Sequence, residues 1–217
     1  MKTIELIDEE LWMIEVPDND EKVKYILSDQ VYNKLELISI NAYSSIDYLF
    51  FEGTKLNAPN LKFLVISGEG SKSCFQLLYN IVLSSDLIEE IYFYYTRITQ
   101  IPEFVFKTKA LLRVTFRGEN ITEIPDEIFE LVALQQLSFE YSDIRIIPDK
   151  IKELVNLVGF NLWGSRIDYL SPELFLLPKI QNINFAYSSY QPTNEVLDAL
   201  KIFQKKESNY FSKWSKY

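Results

Sequence analysis

The chain has 217 residues, of which 31 are acidic, 22 basic and none histidine, giving a net charge of −9 and a pI near 4.7. The absence of histidine excludes Ser-His-Asp and Cys-His catalysis, His-ligated zinc and a histidine pH switch, and a lone cysteine excludes an internal disulfide. At 47% hydrophobic and 24% charged residues the composition is that of a globular protein able to bury a core without staples.

The N-terminus, MKTIELIDEELWMIEVPDNDE, lacks the apolar stretch of a secretory signal, and no run nears the length needed to span a membrane. These features, with the scarcity of cysteine, lead to the expectation of a cytoplasmic protein, although a mature secreted chain would read similarly. Ile4 and Leu6 alternate with polar residues, as do Trp12, Ile14 and Val16, across a turn at Asp8-Glu9-Glu10; the pattern predicts a hairpin within a cap over 1–34. Leu35-Ile38-Ile40 and Leu61-Leu64-Ile66 predict two strands in degenerate repeats over 35–87, and residues 71–85 predict a helix.

From Ile88 the chain repeats every 23 residues, with units starting at Ile88, Leu111, Leu134, Leu157 and Ile180. Positions 1, 4, 6, 11, 14, 18 and 21 are apolar throughout the three units from Leu111 to Lys179, and the unit from Ile88 departs only at Thr108. Positions 4 and 6 alternate with polar neighbours, so each unit opens on a strand with one buried face. Positions 11 to 21 pin a return path, and Pro102, Pro125 and Pro148 at position 15 stop further strand pairing. A lone unit cannot bury its apolar face, whereas stacked units share a continuous core. Residues 194–206 (NEVLDALKIFQKK) predict an amphipathic helix in a C-terminal cap and tail over 191–217.

This pattern, LxxLxLxx(N)xIxxIPxxIxxL, resembles the leucine-rich repeat, in its short intracellular form. The clear match covers 88–190 and, with the degenerate units, about 70% of the chain. The resemblance implies an α/β solenoid in one domain, with a parallel sheet on the concave side and short helices on the convex side. One departure concerns position 9, where the family's asparagine ladder is replaced by Thr96, Glu119, Ser142, Ser165 and Ser188. Hydroxyls can partly substitute; Glu119 as a carboxylate cannot donate, and Asn120 is the expected substitute.

Several motifs carry little chemistry. LVISGEGSKSCF has the Lys72-Ser73 of a phosphate-binding loop but Ile66 where the first glycine belongs. Cys74 lies on the apolar side of the predicted helix with no histidine to activate it. The acidic clusters Asp8-Glu9-Glu10 and Asp18-Asn19-Asp20-Glu21 lack the glycine and terminal glutamate of a calcium loop. Asn120-Ile121-Thr122 is a glycosylation triplet whose Ile121 belongs to the core. The basic C-terminal end reads as a solvated helix and tail, so no nucleic-acid site is expected.

The concave face carries the functional expectation. Across neighbouring strands, position 7 reads Tyr94, Arg117, Glu140, Trp163, Ala186, and position 8 reads Tyr95, Gly118, Tyr141, Gly164, Tyr187. Position 5 adds Tyr92, Thr115, Ser138, Asn161, Asn184, and position 3 adds Glu90, Arg113, Gln136, Gly159, Asn182. Exposed Tyr, Trp and Arg typify the energetic centres of protein interfaces. Tyr92, Tyr94, Tyr95, Arg113, Arg117, Glu140, Tyr141, Trp163 and Tyr187 are therefore the candidate partner-binding residues. Glu90 with Arg113, and Arg117 with Glu140, are placed to pair across strands, at a gain of only about 0–1 kcal/mol each. The expected function is non-catalytic binding of a protein, plausibly basic, by a monomer without cofactor or metal, as an adaptor or a toxin-neutralising immunity protein. A carboxylate- or nucleotide-dependent enzyme and a self-assembling solenoid are the alternatives.

Overall fold

The computed structural model describes residues 2–6, 13–16, 23–27, 36–41, 51–52, 60–69, 86–185 and 190–206. The expected helix over 71–85 with Cys74, the Lys72-Ser73 loop, both acidic clusters, Tyr187 and Ser188 lie outside the described residues. Packing groups the chain into two compact units, residues 1–98 with 102–111, and residues 99–101 with 112–217.

The first unit contains strands β1 (Lys2–Leu6), β2 (Met13–Val16), β3 (Val23–Leu27), β4 (Leu37–Asn41), β5 (Phe51–Glu52), β6 (Phe63–Ser67) and β7 (Glu90–Tyr94), followed by helix α1 (Glu103–Lys107). Strands β2, β4, β6 and β7 pair in that order, all parallel, with Ile38 opposite Leu64 and Leu64 opposite Ile91. β4 and β6, from the two degenerate segments, therefore lie in the repeat sheet. Their entries share one geometry: the amides of Lys62 and Phe63 both donate to the Glu36 carbonyl, and those of Glu89 and Glu90 to the Lys62 carbonyl.

The expected hairpin is not formed. β1 pairs in parallel with β3, and β3 with β5, in a second sheet, while β2 pairs with β4 and so belongs to the repeat sheet. Period-two alternation identifies a strand but does not choose its partner. Along the chain β1, β3 and β5 alternate with β2, β4 and β6, so these three turns each supply one strand to each sheet, and parallel pairing follows from the coil, where a hairpin would require antiparallel neighbours.

The second unit contains β8 (Arg113–Arg117), β9 (Gln136–Glu140), β10 (Ile146–Ile147), β11 (Gly159–Asn161), β12 (Tyr169–Leu170) and β13 (Asn182–Asn184). β8, β9, β11 and β13 form the parallel repeat sheet, and β10 pairs with β12 opposite. The return path carries short 3-10 turns at Asp126–Glu130 and Asp149–Glu153, helix α2 (Glu173–Leu176) and the long helix α3 (Asn194–Lys206). Pro102, Pro125 and Pro148 each stand immediately before α1 or a 3-10 turn in extended conformation, as expected of a residue that cannot donate to a ladder.

The register explains the core. All seven marked positions are buried in each unit from Ile88 to Lys179, Thr108 included. Thr108 takes its apolar slot by donating its hydroxyl to the Phe104 carbonyl at 3.0 Å. In the second unit Phe116 and Phe139 stack with centroids 5.2 Å apart. Val196, Ala199, Leu200 and Phe203 form the buried face of α3, where Phe203 meets Phe175 edge-on at 6.1 Å. On the far side, Tyr169 donates to Asp149 at 2.9 Å, and hydrogen bonds from Ser171 and then Tyr169 hold the Asp149 carboxyl below its ordinary value.

Position 9 is buried at Thr96, Glu119, Ser142 and Ser165. The hydroxyls do substitute for asparagine: Ser165 Oγ donates to the Phe139 carbonyl at 2.6 Å and lies 3.1 Å from Ser142 Oγ. Asn120 does not take over from Glu119, because Asn120 is exposed and Glu119 itself is 1% exposed. Truncating Ser165 to Ala would leave the Phe139 carbonyl only its longer bond from Ser142 Oγ, at 3.3 Å, and would take the acceptor from the buried Ser142 amide, so a loss of about 1 kcal/mol is expected in urea denaturation. A change under about 0.3 kcal/mol would show that the hydroxyl ladder is not holding the rungs.

Candidate functional site

The site is built on the polar face of each unit's repeat sheet, where positions 3, 5 and 7 point away from the core. In the first unit Tyr92 and Tyr94 stack with centroids 5.9 Å apart, and the Tyr92 hydroxyl donates to Glu90. Tyr95 lies beyond the strand and is 47% exposed.

The second unit brings Arg117, Glu140, Tyr141 and Trp163 together. The Arg117 guanidinium lies 3.7 Å from the Glu140 carboxylate and 5.8 Å from the centre of the Tyr141 ring. Tyr141 and Trp163 approach at 6.2 Å, and are 47% and 36% exposed. Glu140 also accepts from Asn161 Nδ2 at 2.8 Å and from Ser138 Oγ at 3.2 Å, so its charge is compensated on several sides. The Trp163 amide donates to Asn161 Oδ1 at 3.1 Å and the Tyr141 amide to the Trp163 carbonyl at 2.7 Å. The cluster is thus pinned by backbone as well as side chains. Arg113 lies at the start of β8, opposite Gln136 on β9, and is half-buried.

Position 8 has a backbone peculiarity. Gly68, Tyr95, Gly118, Tyr141 and Gly164 all have positive φ, at 81°, 54°, 71°, 52° and 76°. This left-handed residue lets the chain leave the strand while its amide still reaches the next rung: Gly68 N–H donates to Tyr94 O, and Gly118 N–H to Glu140 O. Glycine adopts the conformation freely, whereas a residue with a Cβ loses about 1–2 kcal/mol. Tyr95 and Tyr141 nevertheless occupy it. Gly164 shows why glycine alternates with tyrosine: a Cβ there would lie 2.5 Å from Tyr141 Cδ1, so the Tyr141 ring rests on the bare backbone of the next rung.

The residues that sequence reasoning left out of the site are amides and hydroxyls. Thr115, Gln136, Ser138, Asn161, Asn182 and Asn184, with Gly159 and Glu140, line a hollow of about 440 Å³ on the same face. They stand mostly at positions 3 and 5, and amides and hydroxyls there carry no aromatic or arginine signature of an interface. Among the described residues, no group of His, Cys, Asp and Glu side chains is placed to hold a metal ion, and no helix is long and apolar enough to cross a membrane.

No family model matches the sequence, and no curated protein matches it. The structure is similar to a leucine-rich-repeat protein of Leptospira interrogans, at 14% identity and a TM-score of 0.50, over 82% of this chain and 56% of that one. It is also similar to an internalin of Listeria monocytogenes, at 12% identity and a TM-score of 0.52, over 82% of this chain and 58% of that one. The chain thus spans less than two thirds of the length of either neighbour. Parallel rungs wound on a 23-residue register whose marked positions are buried give this chain a leucine-rich-repeat fold.

Proposed function

We propose that this chain is a non-catalytic interaction module, acting as a cytoplasmic monomer, that holds another protein against its concave sheet face. Arg117, Tyr141 and Trp163 are its anchor, with Tyr92, Tyr94 and Tyr95 as a second aromatic patch. The observation that carries this reading is the exposed Tyr141 ring, kept over Gly164 at the cost of a left-handed backbone. Strain of this kind persists where surrounding structure over-determines it, and it clusters at binding sites. A ring fixed before binding loses little entropy on association. The net charge of −9 favours a basic partner, and long-range attraction would raise its encounter rate more than its affinity. A neutralising antitoxin for a basic toxin and a signalling adaptor are two concrete forms of this role.

The test is affinity capture from the native cell with the wild-type chain and with Arg117→Ala/Tyr141→Ala/Trp163→Ala, matched for melting temperature. The partner recovered by the wild type should be lost, with direct titration showing binding weaker by about 30-fold or more, as for loss of a principal anchor. Equal recovery by both chains would discard the concave anchor.

A further inference from the structure

The hollow beside the aromatic cluster has its own chemistry. Gln136, on β9, and Asn182, on β13, flank Gly159, on β11. Strands two apart in a sheet are separated by about 9.6 Å. Glycine at the middle strand leaves a slot whose floor is backbone. Both flanking amides are exposed, and neither side chain hydrogen-bonds another described residue. Each therefore offers a carbonyl acceptor and two N–H donors into the slot. The only charged lining residue, Glu140, is already answered by Arg117, Asn161 and Ser138. Leu137 and Phe160 contribute only backbone to the floor, since both side chains are 1% exposed in the core beneath, and Ile183, half-buried at its end, is the one partly open apolar residue of the lining.

These properties select a ligand class. A slot whose one carboxylate is already answered by Arg117, Asn161 and Ser138 gives no purchase to a phosphate, a carboxylate or a metal ion. A floor without an apolar hole gives no purchase to the side-chain anchors by which peptides are held. Paired donors and acceptors suit vicinal hydroxyls, which both give and take hydrogen bonds. Trp163 does not line the hollow but stands two residues beyond Asn161, its exposed ring against Tyr141, where the C–H face of a sugar extending out of the hollow can rest. The volume falls at the small end of the roughly 300–1,000 Å³ of ligand pockets. We propose that this hollow is a subsite for a neutral saccharide, bound by Gln136 and Asn182 over Gly159. The site goes beyond the protein-binding reading and shares with its anchor only the Trp163 ring.

Gly159 provides the test. Its φ is not in the left-handed region, and an added Cβ would meet Gln136 Cδ at 3.6 Å, an ordinary contact. The neighbour met is the flexible end of Gln136, which can swing aside for the Cγ methyls, so Gly159→Val should fold and fill the slot. The full chain is titrated calorimetrically with cellotetraose, maltotetraose, chitotetraose and mannotetraose. At least one should bind with a Kd of about 1 mM or tighter, weakening about tenfold or more in Gly159→Val and in Gln136→Ala/Asn182→Ala at unchanged melting temperature. Failure of all four to bind at about 10 mM, or binding that survives both variants, overturns the subsite. Stronger binding of an uncharged extended octapeptide than of every tetrasaccharide, abolished by the same variants, also overturns it, in favour of a peptide. Both variants leave Arg117 and Tyr141 in place, so partner capture by these chains reads the protein-binding proposal separately.

Discussion

Replacing Phe139 with alanine should cost about 3–5 kcal/mol, as for other fully buried aromatic truncations. Phe139 is 0% exposed, stacks on Phe116, and stands at position 6 of a middle rung. Native stabilities of about 5–15 kcal/mol leave little after such a loss. The architecture makes the damage spread. In a repeat protein each rung is stabilised chiefly by its two neighbours, so a void in the middle weakens two interfaces. The Phe139 carbonyl also receives the Ser165 hydroxyl, tying the same residue to the position 9 ladder. Urea denaturation should show the lower midpoint, and amide exchange should show lost protection at Val114 and Phe160 on the flanking strands. A loss below about 1 kcal/mol would mean that the rung is not packed as described.

Gly164→Ala should be the next most damaging of the changes considered, at about 2–3 kcal/mol. Part is the cost of about 1–2 kcal/mol for a Cβ in the left-handed region. The rest is collision with the Tyr141 ring, which would have to leave Trp163 and Arg117. The two contributions separate in a double-mutant cycle with Tyr141→Ala, because removing the ring removes the collision. The double variant should lose clearly less than the sum of the single ones. Strictly additive losses would refute the idea that the ring rests on Gly164. The single variant should also weaken partner capture as Tyr141→Ala does, since both displace the same ring.

Much of this fold is legible in the residues because the solenoid is a local code. Each rung buries the same seven positions against its neighbours, so apolar register alone announces the winding, and even Thr108 obeys it by satisfying its hydroxyl on Phe104. Pairing partners are not local, which is why Ile4-Leu6 and Ile14-Val16 read as strands but not as members of two different sheets. The Ser142–Ser165 ladder could be anticipated from hydroxyl chemistry, whereas the burial of Glu119 could not, because a carboxylate looks misplaced there on composition alone.

The site was legible in the same uneven way. Register places Arg117, Glu140, Tyr141 and Trp163 side by side, and the Arg117–Glu140 pair is formed. The left-handed backbone at Tyr95 and Tyr141 is hidden, since tyrosine gives no hint of positive φ. The glycines at the same position in alternate rungs are its only trace in the sequence. The amide-lined hollow is hidden too, because it is defined by the missing side chain at Gly159 more than by any residue present.

The seat of the Tyr141 ring on Gly164 bears on how this protein can grow or shrink. Inserting or deleting a single 23-residue unit at this point would place two tyrosines or two glycines in adjacent rungs, and a Cβ in the place of Gly164 would strike the Tyr141 ring. Two units together, 23 + 23 = 46 residues, preserve the alternation. The natural module of duplication in this chain is therefore a pair of repeats, and a lengthened variant built in such pairs would carry its aromatic anchors onward at every second step.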